Sequence, residues 1–317
     1  MKQFMFDLVI IGGGPAGIFA TSVAHIKGLK PLLIEANDYL GGQPLMVYSQ
    51  KDIEDYPGFT KIKAYQLIDK LIEQFKNTKA PVLLKTKVLK CLKTKDEFKL
   101  MLSNKQTVSA KAIIIATGPG MFTPNRLDIK GSNQPNVQYN VNELTSYKNK
   151  HVVILGGGDS AVDWSNELSR VAKSTAIIHR RDEFRANGSN VNSLKKNGVK
   201  IYLDSLPQAI NKKQLVIENT KTHKRTIIPF DYLIVQYGQS IDMSGLSVFN
   251  NLKLTEQKRI PVNVSQLTNI DNVYAIGNIC IYDGKPSSII CAHGEAAVAI
   301  RHILNKLRPY DKKIKSH

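Results

Sequence analysis

The apolar positions of this chain follow one pattern that occurs twice: an apolar strand, a glycine-rich turn, a segment with helical spacing, and a second apolar strand. The first copy covers 7–35 around the turn Gly12–Gly17, and the second covers 151–179 around the turn Gly156–Ala161. Strands linked through a turn and a helix in this way run parallel, since the crossover returns the chain to the same end of the sheet. Each copy therefore predicts a parallel, doubly wound α/β sheet.

Shorter apolar runs indicate how the two copies are arranged. Residues 81–89 and 98–103 alternate between apolar and polar, which predicts antiparallel strands. Residues 287–307 show helical spacing. The simplest layout inserts the second copy into the domain of the first. We therefore expect an α/β protein with two doubly wound, Rossmann-like, three-layer domains, the first made of 1–118 and 240–317 and the inserted one of 119–239.

Each turn has the glycine spacing that lets a backbone approach a dinucleotide. Gly12 permits the tight turn, Gly14 allows the pyrophosphate to come close, and Gly17 lets the helix pack on the strand. The helix that follows offers unpaired N–H groups and the positive end of its dipole to the phosphates. The second turn has Ala161 at the third position, a common variant. We expect the cofactor-binding residues to be Gly12, Gly14, Pro15, Ala16 and Gly17 in the first turn and Gly156, Gly158, Asp159 and Ser160 in the second.

The residues that end the second strand of each copy have opposite charge. Glu35 ends the first copy, where a carboxylate accepts hydrogen bonds from ribose hydroxyls and repels a 2′-phosphate. His179, Arg180 and Arg181 occupy the equivalent place in the second copy, with Arg185 nearby, and cations there suit a 2′-phosphate. The first turn therefore favours FAD or NAD, and the second favours NADP(H).

The chain has 317 residues and carries 44 basic against 26 acidic side chains, a net charge of +18. A surface of this sign attracts acidic partners; nucleic acid, an acidic protein and a lysine-biased composition are all compatible with it. No nucleic-acid-binding motif favours the first. No apolar run approaches the roughly 20 residues that span a bilayer, and the three cysteines lack a metal-ligand spacing. We therefore expect a cytoplasmic protein without a membrane segment or a bound metal.

Several further motifs resemble those of one family, over nearly the whole chain. They are Gly41-Gly42-Gln43, Ala116-Thr117-Gly118, and the runs His179–Ala186 and Tyr274–Asn278. Together with the two turns, they resemble the thioredoxin-reductase-like flavoproteins. The resemblance implies that the first domain binds FAD, that the inserted domain binds NADPH, and that the protein is a homodimer.

Cysteines are missing at the two places where related disulfide reductases carry them. Low-molecular-weight thioredoxin reductases have C-x-x-C before the second turn, but 137–144 contains no cysteine here. A related reductase of a low-molecular-weight disulfide has a cysteine in the first glycine loop, where this chain reads Pro15-Ala16-Gly17. Without a dithiol, electrons cannot pass from flavin to a protein disulfide. Among these flavoproteins, the chain resembles the ferredoxin–NADP⁺ reductases of thioredoxin-reductase type, which lack both cysteine sites; the resemblance extends to Tyr48 and to Gly294-Glu295-Ala296.

This closer resemblance implies contacts to FAD outside the first glycine turn. Tyr48 would stack on one face of the isoalloxazine, and His317, from the partner subunit of the dimer, would cover the other. The family usually has Gly-Asp where this chain has Gly277-Asn278, whose amide still hydrogen-bonds a ribityl hydroxyl. The other implied contacts are Gly42, Gln43, Val88 and Phe122, of which Val88 and Phe122 suit core packing equally well.

The same resemblance implies electron transfer between NADPH and ferredoxin or flavodoxin, by hydride transfer to FAD followed by single-electron steps. The cofactors supply this chemistry, so no side chain is expected to act as acid, base or nucleophile. Two other functions stay open. One is an NADPH-dependent disulfide or quinone reductase that lacks the C-x-x-C; the other is a redox-sensing flavoprotein without significant turnover.

Overall fold

The computed structural model describes residues 4–141, 143–242 and 244–308. They divide into two compact units. Unit 1 contains the residues up to Met121 and those from Ile241 onwards, and unit 2 is Phe122–Ser240. Unit 2 is therefore continuous in sequence and interrupts unit 1. The sequence pattern predicts these boundaries after residues 118 and 239.

The first part of unit 1 alternates strands with helices and ends in an antiparallel hairpin. Its elements are β1 (Phe4–Ile11), α1 (Pro15–Ile26), β2 (Pro31–Ile34), α2 (Gln43–Tyr48), β3 (Asp52–Ile53), β4 (Ile62–Lys63), α3 (Ala64–Thr78), β5 (Val82–Leu83), β6 (Val88–Lys93), β7 (Phe98–Leu102) and β8 (Thr107–Ile115).

Unit 2 lies between two strands that pair with each other, β9 and β18, in which the chain leaves unit 1 and returns to it. The elements are β9 (Met121–Pro124), β10 (Val137–Gln138), β11 (His151–Leu155), α4 (Asp159–Ser169), β12 (Ser174–Ile178), α5 (Gly188–Lys196), β13 (Lys200–Tyr202), β14 (Ser205–Asn211), β15 (Gln214–Asn219), β16 (Arg225–Pro229), β17 (Tyr232–Val235) and β18 (Gln239–Asp242).

The last part of the chain completes unit 1 with short strands and one long helix. The elements are β19 (Ile260–Pro261), β20 (Val273–Ala275), a 3₁₀ turn (Gly277–Ile279), β21 (Cys280–Ile281) and α6 (Ile289–Leu307). Ser288 caps α6, because its hydroxyl accepts a hydrogen bond from the backbone N–H of Cys291.

The central sheet of unit 1 is parallel, in the order β5-β2-β1-β8. The edge of β8 that faces away from β1 has two partners. The first half of β8 pairs antiparallel with β7, and the second half pairs parallel with β20. Ile11 lies opposite Ile34 and Ile115, and Ile115 lies opposite Ala275. Four parallel strands therefore end at the same edge, and the segments that follow them meet there.

Each unit has three layers. In unit 1, α1, α3 and α6 cover one face of the sheet, and β19, β21 and the chain around Phe249 cover the other. In unit 2, the parallel sheet β10-β17-β11-β12-β13 has α4 and α5 on one face and the antiparallel sheet β14-β15-β16 on the other. The predicted α/β fold class is confirmed. In both units, however, strands build the third layer.

One predicted element differs. The alternating run 81–89 was expected to be an antiparallel strand, but β5 pairs parallel with β2, and only the residues from Val88 onwards join the hairpin. Lys85 separates the two parts with a left-handed φ of 50°, and its backbone N–H donates to Asn37. Alternation along the sequence cannot show such a break, because both parts keep the same period.

Candidate functional site

The first glycine turn is shaped by close contacts with neighbouring backbone. Gly12 has a φ of 112°, and a Cβ there would lie 2.4 Å from the carbonyl oxygen of Ala116. A Cβ on Gly17 would lie 1.8 Å from the carbonyl oxygen of Gly12, so no side chain fits. A Cβ on Gly14, in contrast, would meet only the Cα of Gly42, at 3.9 Å. The turn is therefore tight towards the sheet and open beside Gly14.

Helix α1 begins at Pro15 with no side chain bonded to its first N–H groups. These donors are available to a phosphate, and the helix dipole adds to the attraction. The hydroxyl of Thr117, which follows β8 beside Gly12, is buried without a hydrogen-bond partner. An orphaned buried hydroxyl of this kind is typical of a ligand site. These features fit a dinucleotide pyrophosphate. Thr117 is a candidate site residue that the sequence pattern alone did not indicate, although it lies in the run Ala116-Thr117-Gly118 directly after an apolar strand.

Glu35 lies at the end of β2 and is 8% exposed. One carboxylate oxygen accepts a hydrogen bond from the backbone N–H of Gly13 at 2.6 Å, and the other accepts from that of Asn37 at 2.7 Å. Each oxygen keeps a lone pair free. The carboxylate is thus fixed against the glycine turn, with acceptor capacity left for ribose hydroxyls.

Other predicted FAD contacts come together at the same turn. A Cβ on Gly42 would lie 2.8 Å from the Cα of Gly14, so the start of α2 lies directly against the first turn. The side-chain amide of Asn278 donates to the side-chain oxygen of Gln43 at 3.2 Å. Unit 1 therefore brings together residues that are far apart in the sequence.

The remaining predicted contacts differ in position. Tyr48 is half-buried against the cluster around Ile53 and Leu67, and burial, with a smaller contribution from Asp55, raises its pKa. Val88 is 8% exposed and belongs to the core on the strand-covered face of unit 1, which favours packing over cofactor contact. The side chain of Phe122 and the whole of His317 lie outside the described residues.

The second glycine turn repeats the geometry of the first. Gly156 has a φ of 147°, and a Cβ there would lie 2.4 Å from the carbonyl oxygen of Gln236, which follows β17. A Cβ on Gly158 would meet nothing within 4 Å. Helix α4 begins at Asp159, again without a side-chain cap. Asp159 accepts a hydrogen bond from the backbone N–H of Asn187, and Ser160 is half-exposed beside it. The turn fits a second pyrophosphate.

His179 occupies a different environment from the arginines that follow it. Its ring is buried and stacks on Phe184, and a Cβ on Gly157 would lie 2.2 Å from the ring. Burial lowers the pKa of His179, and the neighbouring arginines lower it further, although a hydrogen bond to the backbone of Glu183 opposes them. The ring is therefore neutral at pH 7 and supports the turn from below. Nε2 of the ring is buried without a hydrogen-bond partner, and the contact of His179 with the nucleotide stays a prediction.

Three cations remain at this position, because Arg180, Arg181 and Arg185 are all exposed. None of them forms an ion pair with another described residue. The backbone N–H of Arg185 donates to the carbonyl oxygen of Gly157 at 2.7 Å, which holds the segment against the turn. The guanidinium groups are therefore free to bind an anion beside the second turn.

A model of the family described as pyridine nucleotide-disulphide oxidoreductase matches residues 6–296 of the chain. A ferredoxin–NADP reductase of Streptococcus agalactiae serotype Ia is 40% identical, covering 98% of this chain and 96% of the relative. One from Malacoplasma penetrans is 38% identical, covering 94% and 96%. The sequence similarity therefore extends through both units.

Solved structures are similar in fold. The thioredoxin reductase of T. acidophilum superposes with a TM-score of 0.73 at 24% identity, covering 96% of this chain and 99% of that one. The thioredoxin reductase of Lactococcus lactis gives 0.70 at 27% identity, covering 95% and 98%. Across the described ranges, the chain has no helix long and apolar enough to cross a membrane. Nor do those ranges contain a group of three or more His, Cys, Asp or Glu suited to a metal.

Proposed function

Because the chain belongs to the pyridine nucleotide-disulphide oxidoreductase family, we propose that it is a ferredoxin–NADP⁺ reductase, a flavoenzyme that exchanges electrons between NADPH and ferredoxin or flavodoxin. The observation that carries the proposal is the pair of glycine turns, one ending in a fixed carboxylate and the other in three exposed arginines. A carboxylate selects an unphosphorylated ribose, and the arginines select a 2′-phosphate. One chain is therefore equipped for FAD and for NADPH.

Unit 1 would hold FAD. The backbone around Gly14 and the start of α1 would bind the pyrophosphate, and Glu35 would bind the adenosine ribose. Asn278 and Gln43, joined to each other, would contact the ribityl chain and the ring. When bound, FAD accepts a hydride and releases electrons singly. The protein's own contribution is to hold and orient the ring and to exclude competing reactions.

Unit 2 would hold NADPH. The backbone at Gly158 and the start of α4 would bind the pyrophosphate, while Arg180, Arg181 and Arg185 would bind the 2′-phosphate. His179 would act through the turn that it supports. No described side chain is needed to donate or remove a proton in hydride transfer, so binding geometry is the whole of the protein's task.

We expect no disulfide-reducing centre among the cysteines. Burial raises the pKa of Cys91 and of Cys280 to about 12, so both remain protonated thiols at pH 7. Cys291, the third, is partly buried in α6. Anaerobic titration should therefore consume about one NADPH per flavin. Consumption of about two would reveal a second two-electron centre and would favour a disulfide reductase.

The acceptor is proposed from charge and from the names of the relatives. A net charge of +18 favours an acidic redox protein such as ferredoxin or flavodoxin. We also propose that the protein is a cytoplasmic homodimer and that Tyr48 and His317 cover the two faces of the flavin. Removal of the residues after Arg308 would then change the visible spectrum of the flavin and the rate of hydride transfer.

The deciding experiment is a steady-state assay of the FAD-loaded protein with NADPH, ferredoxin and cytochrome c. We expect rapid cytochrome reduction that depends on ferredoxin, is weak with NADH, and falls as salt rises. Flavodoxin replaces ferredoxin in a parallel assay. Faster reduction of a quinone or a disulfide would favour a quinone or disulfide reductase over a ferredoxin reductase. Tight binding of both nucleotides without turnover would favour a redox-sensing flavoprotein.

A further inference from the structure

A buried ion pair lies in unit 1 among residues to which no nucleotide contact is assigned. Lys285, in the turn after β21, pairs with Glu295, in the second turn of α6, and their side chains are 2% and 3% exposed. Buried ion pairs contribute little net stability, because desolvation offsets most of the attraction. The pair therefore calls for an explanation other than stability.

Glu295 accepts hydrogen bonds on both of its oxygens. Oε1 accepts from Lys285, from the Tyr282 hydroxyl at 2.9 Å and from the Cys291 thiol at 3.3 Å. Oε2 accepts from the backbone N–H of Gly277 at 2.6 Å and lies 3.6 Å from the Cys280 sulfur. The donors on Oε1 hold the carboxylate in one orientation, and in that orientation Oε2 meets Gly277.

The bond to Gly277 reaches the proposed FAD site. Gly277 opens the 3₁₀ turn Gly277–Ile279, and a Cβ on it would lie 3.2 Å from the Cβ of Ala16 in the first glycine turn. The next residue, Asn278, donates to Gln43. The 3₁₀ turn is thus held by Glu295 on one side and meets the predicted FAD contacts on the other.

We propose that Lys285 and Glu295 are a positioning pair for FAD: Lys285 orients the carboxylate, the carboxylate holds the N–H of Gly277, and the held turn places the Asn278 amide against the flavin. This inference rests on the proposed function, since it takes FAD as the ligand of unit 1. It makes Glu295 a determinant of flavin affinity and of the flavin's polar environment. The acceptor oxygen facing Gly277 is the essential feature, and the charge serves to orient it.

The test compares two neutral double variants that differ in one group. K285M/E295Q removes both charges but keeps a side-chain oxygen for Gly277, whereas K285M/E295M has a similar volume and no such oxygen. FAD is removed from each protein and titrated back, with affinity measured by quenching of flavin fluorescence. We expect K285M/E295Q to bind FAD within about threefold of the unchanged protein. We expect K285M/E295M to bind FAD about tenfold more weakly and to show a shifted visible flavin band, because one hydrogen-bonded contact is lost.

Four further variants separate positioning from general stability. N278A combined with each double variant should remove the difference between them, because Glu295 acts through Asn278. D271N/K306M breaks an exposed ion pair at the other end of α6 and should leave affinity and spectrum unchanged. Y282F removes one donor from Oε1, and is expected to fold even if K285M/E295M does not; it should weaken FAD binding about threefold.

The proposal is overturned if both double variants bind FAD with the same affinity and spectrum, if their difference persists in the N278A background, or, where K285M/E295M does not fold, if Y282F leaves affinity and spectrum unchanged. Failure of the proposed function has a different signature. In that case the unchanged protein itself binds no FAD, whatever occupies positions 285 and 295.

Discussion

The two glycine turns share their backbone geometry and differ in the side chains placed beneath and beside them. In both, the first glycine has a left-handed φ and lies against the carbonyl oxygen that follows a neighbouring parallel strand, Ala116 in unit 1 and Gln236 in unit 2. In the first turn a fixed carboxylate bonds the middle glycine, Gly13, whereas in the second a neutral imidazole packs under Gly157. On the proposed function, the shared geometry would bind a pyrophosphate, and the residues after the second strand would select the nucleotide.

The comparison also separates two tasks that a basic segment can perform. His179 and Arg180 are adjacent in sequence, yet one is buried and the other exposed. The backbone N–H of His179 still bonds to Tyr202 beside the end of β12, and the chain bends at Arg180. One residue therefore packs under the turn while the next is exposed to solvent. A run of basic residues is thus not a uniform anion site.

The largest effect is expected at the last residue of each turn, which is Gly17 in unit 1 and Ala161 in unit 2. In Gly17→Ala, the new Cβ would collide with backbone, and no side-chain movement relieves that contact. We expect a loss of more than about 4 kcal/mol of stability or no folded protein, seen by chemical denaturation. The matched change, Ala161→Gly, should cost only about 1 kcal/mol through lower helix propensity. Equal effects would mean that the two turns do not differ here.

The next effect concerns one buried histidine in each unit. His293, in α6, stacks on the ring of Phe19 and shares a hydrogen bond with the Tyr56 hydroxyl. It also lies near the backbone of Pro15. Burial lowers the pKa of His293 to about 4. The unfolded chain, with a pKa near 6.5, therefore binds more protons between pH 6.5 and 4, and stability falls as pH falls through that window. The loss is at most about 3 kcal/mol.

His293→Phe should flatten this part of the stability–pH curve, measured by urea unfolding from pH 7 to 4. His179→Phe should also make stability depend less on pH in this range, because burial lowers the pKa of His179 as well. A slope unchanged by His293→Phe would show that other groups cause the acid sensitivity.

A smaller effect, on binding alone, is expected for the exposed arginines. Replacement of Arg180 and Arg181 by alanine should raise the KM for NADPH at least about tenfold and change that for NADH little, since only NADPH carries the 2′-phosphate. Stability should not change, because neither arginine forms an ion pair with a described residue. Steady-state kinetics with both coenzymes measure the ratio; equal kinetics with the two coenzymes in the unchanged protein would refute the assignment.

The smallest effect is expected at the open positions, Gly14 and Gly158. A Cβ at either meets nothing closer than 3.9 Å, and neither has a left-handed φ, so alanine should leave the nucleotide-free protein within about 0.5 kcal/mol of its stability. Nucleotide affinity should fall about threefold or more where the methyl group meets the ligand. Gly14→Ala should weaken FAD selectively and Gly158→Ala NADPH selectively, in parallel titrations. If neither alanine variant has a lower affinity for its nucleotide, the pyrophosphates bind elsewhere.

The sequence allowed prediction of the features that depend on local order. The strand, turn and helix around Gly12 and Gly156 follow from apolar periodicity and glycine spacing, and the contrast of Glu35 with Arg180 follows from their position after a strand. The bond between Asn278 and Gln43 and the pairing of Lys285 with Glu295 could not be predicted, because they depend on where the chain returns after unit 2. The burial of His179 was missed for another reason: its charge was inferred from its residue type, and its packing under Gly157 decides otherwise.

The insertion of unit 2 into unit 1 also sets an order of events during synthesis. On the ribosome, all of Phe122–Ser240 emerges before Val273–Ala275 and α6 exist. Until then, the second half of β8 is paired with β1 on one edge only, and the apolar face of α1 that meets α6 is uncovered. Unit 2, in contrast, already has every strand of its own sheet. Unpaired strand edges and exposed apolar faces are where nascent chains associate wrongly. We therefore expect unit 1, which would carry the flavin, to complete its fold after unit 2 and to depend more on chaperones.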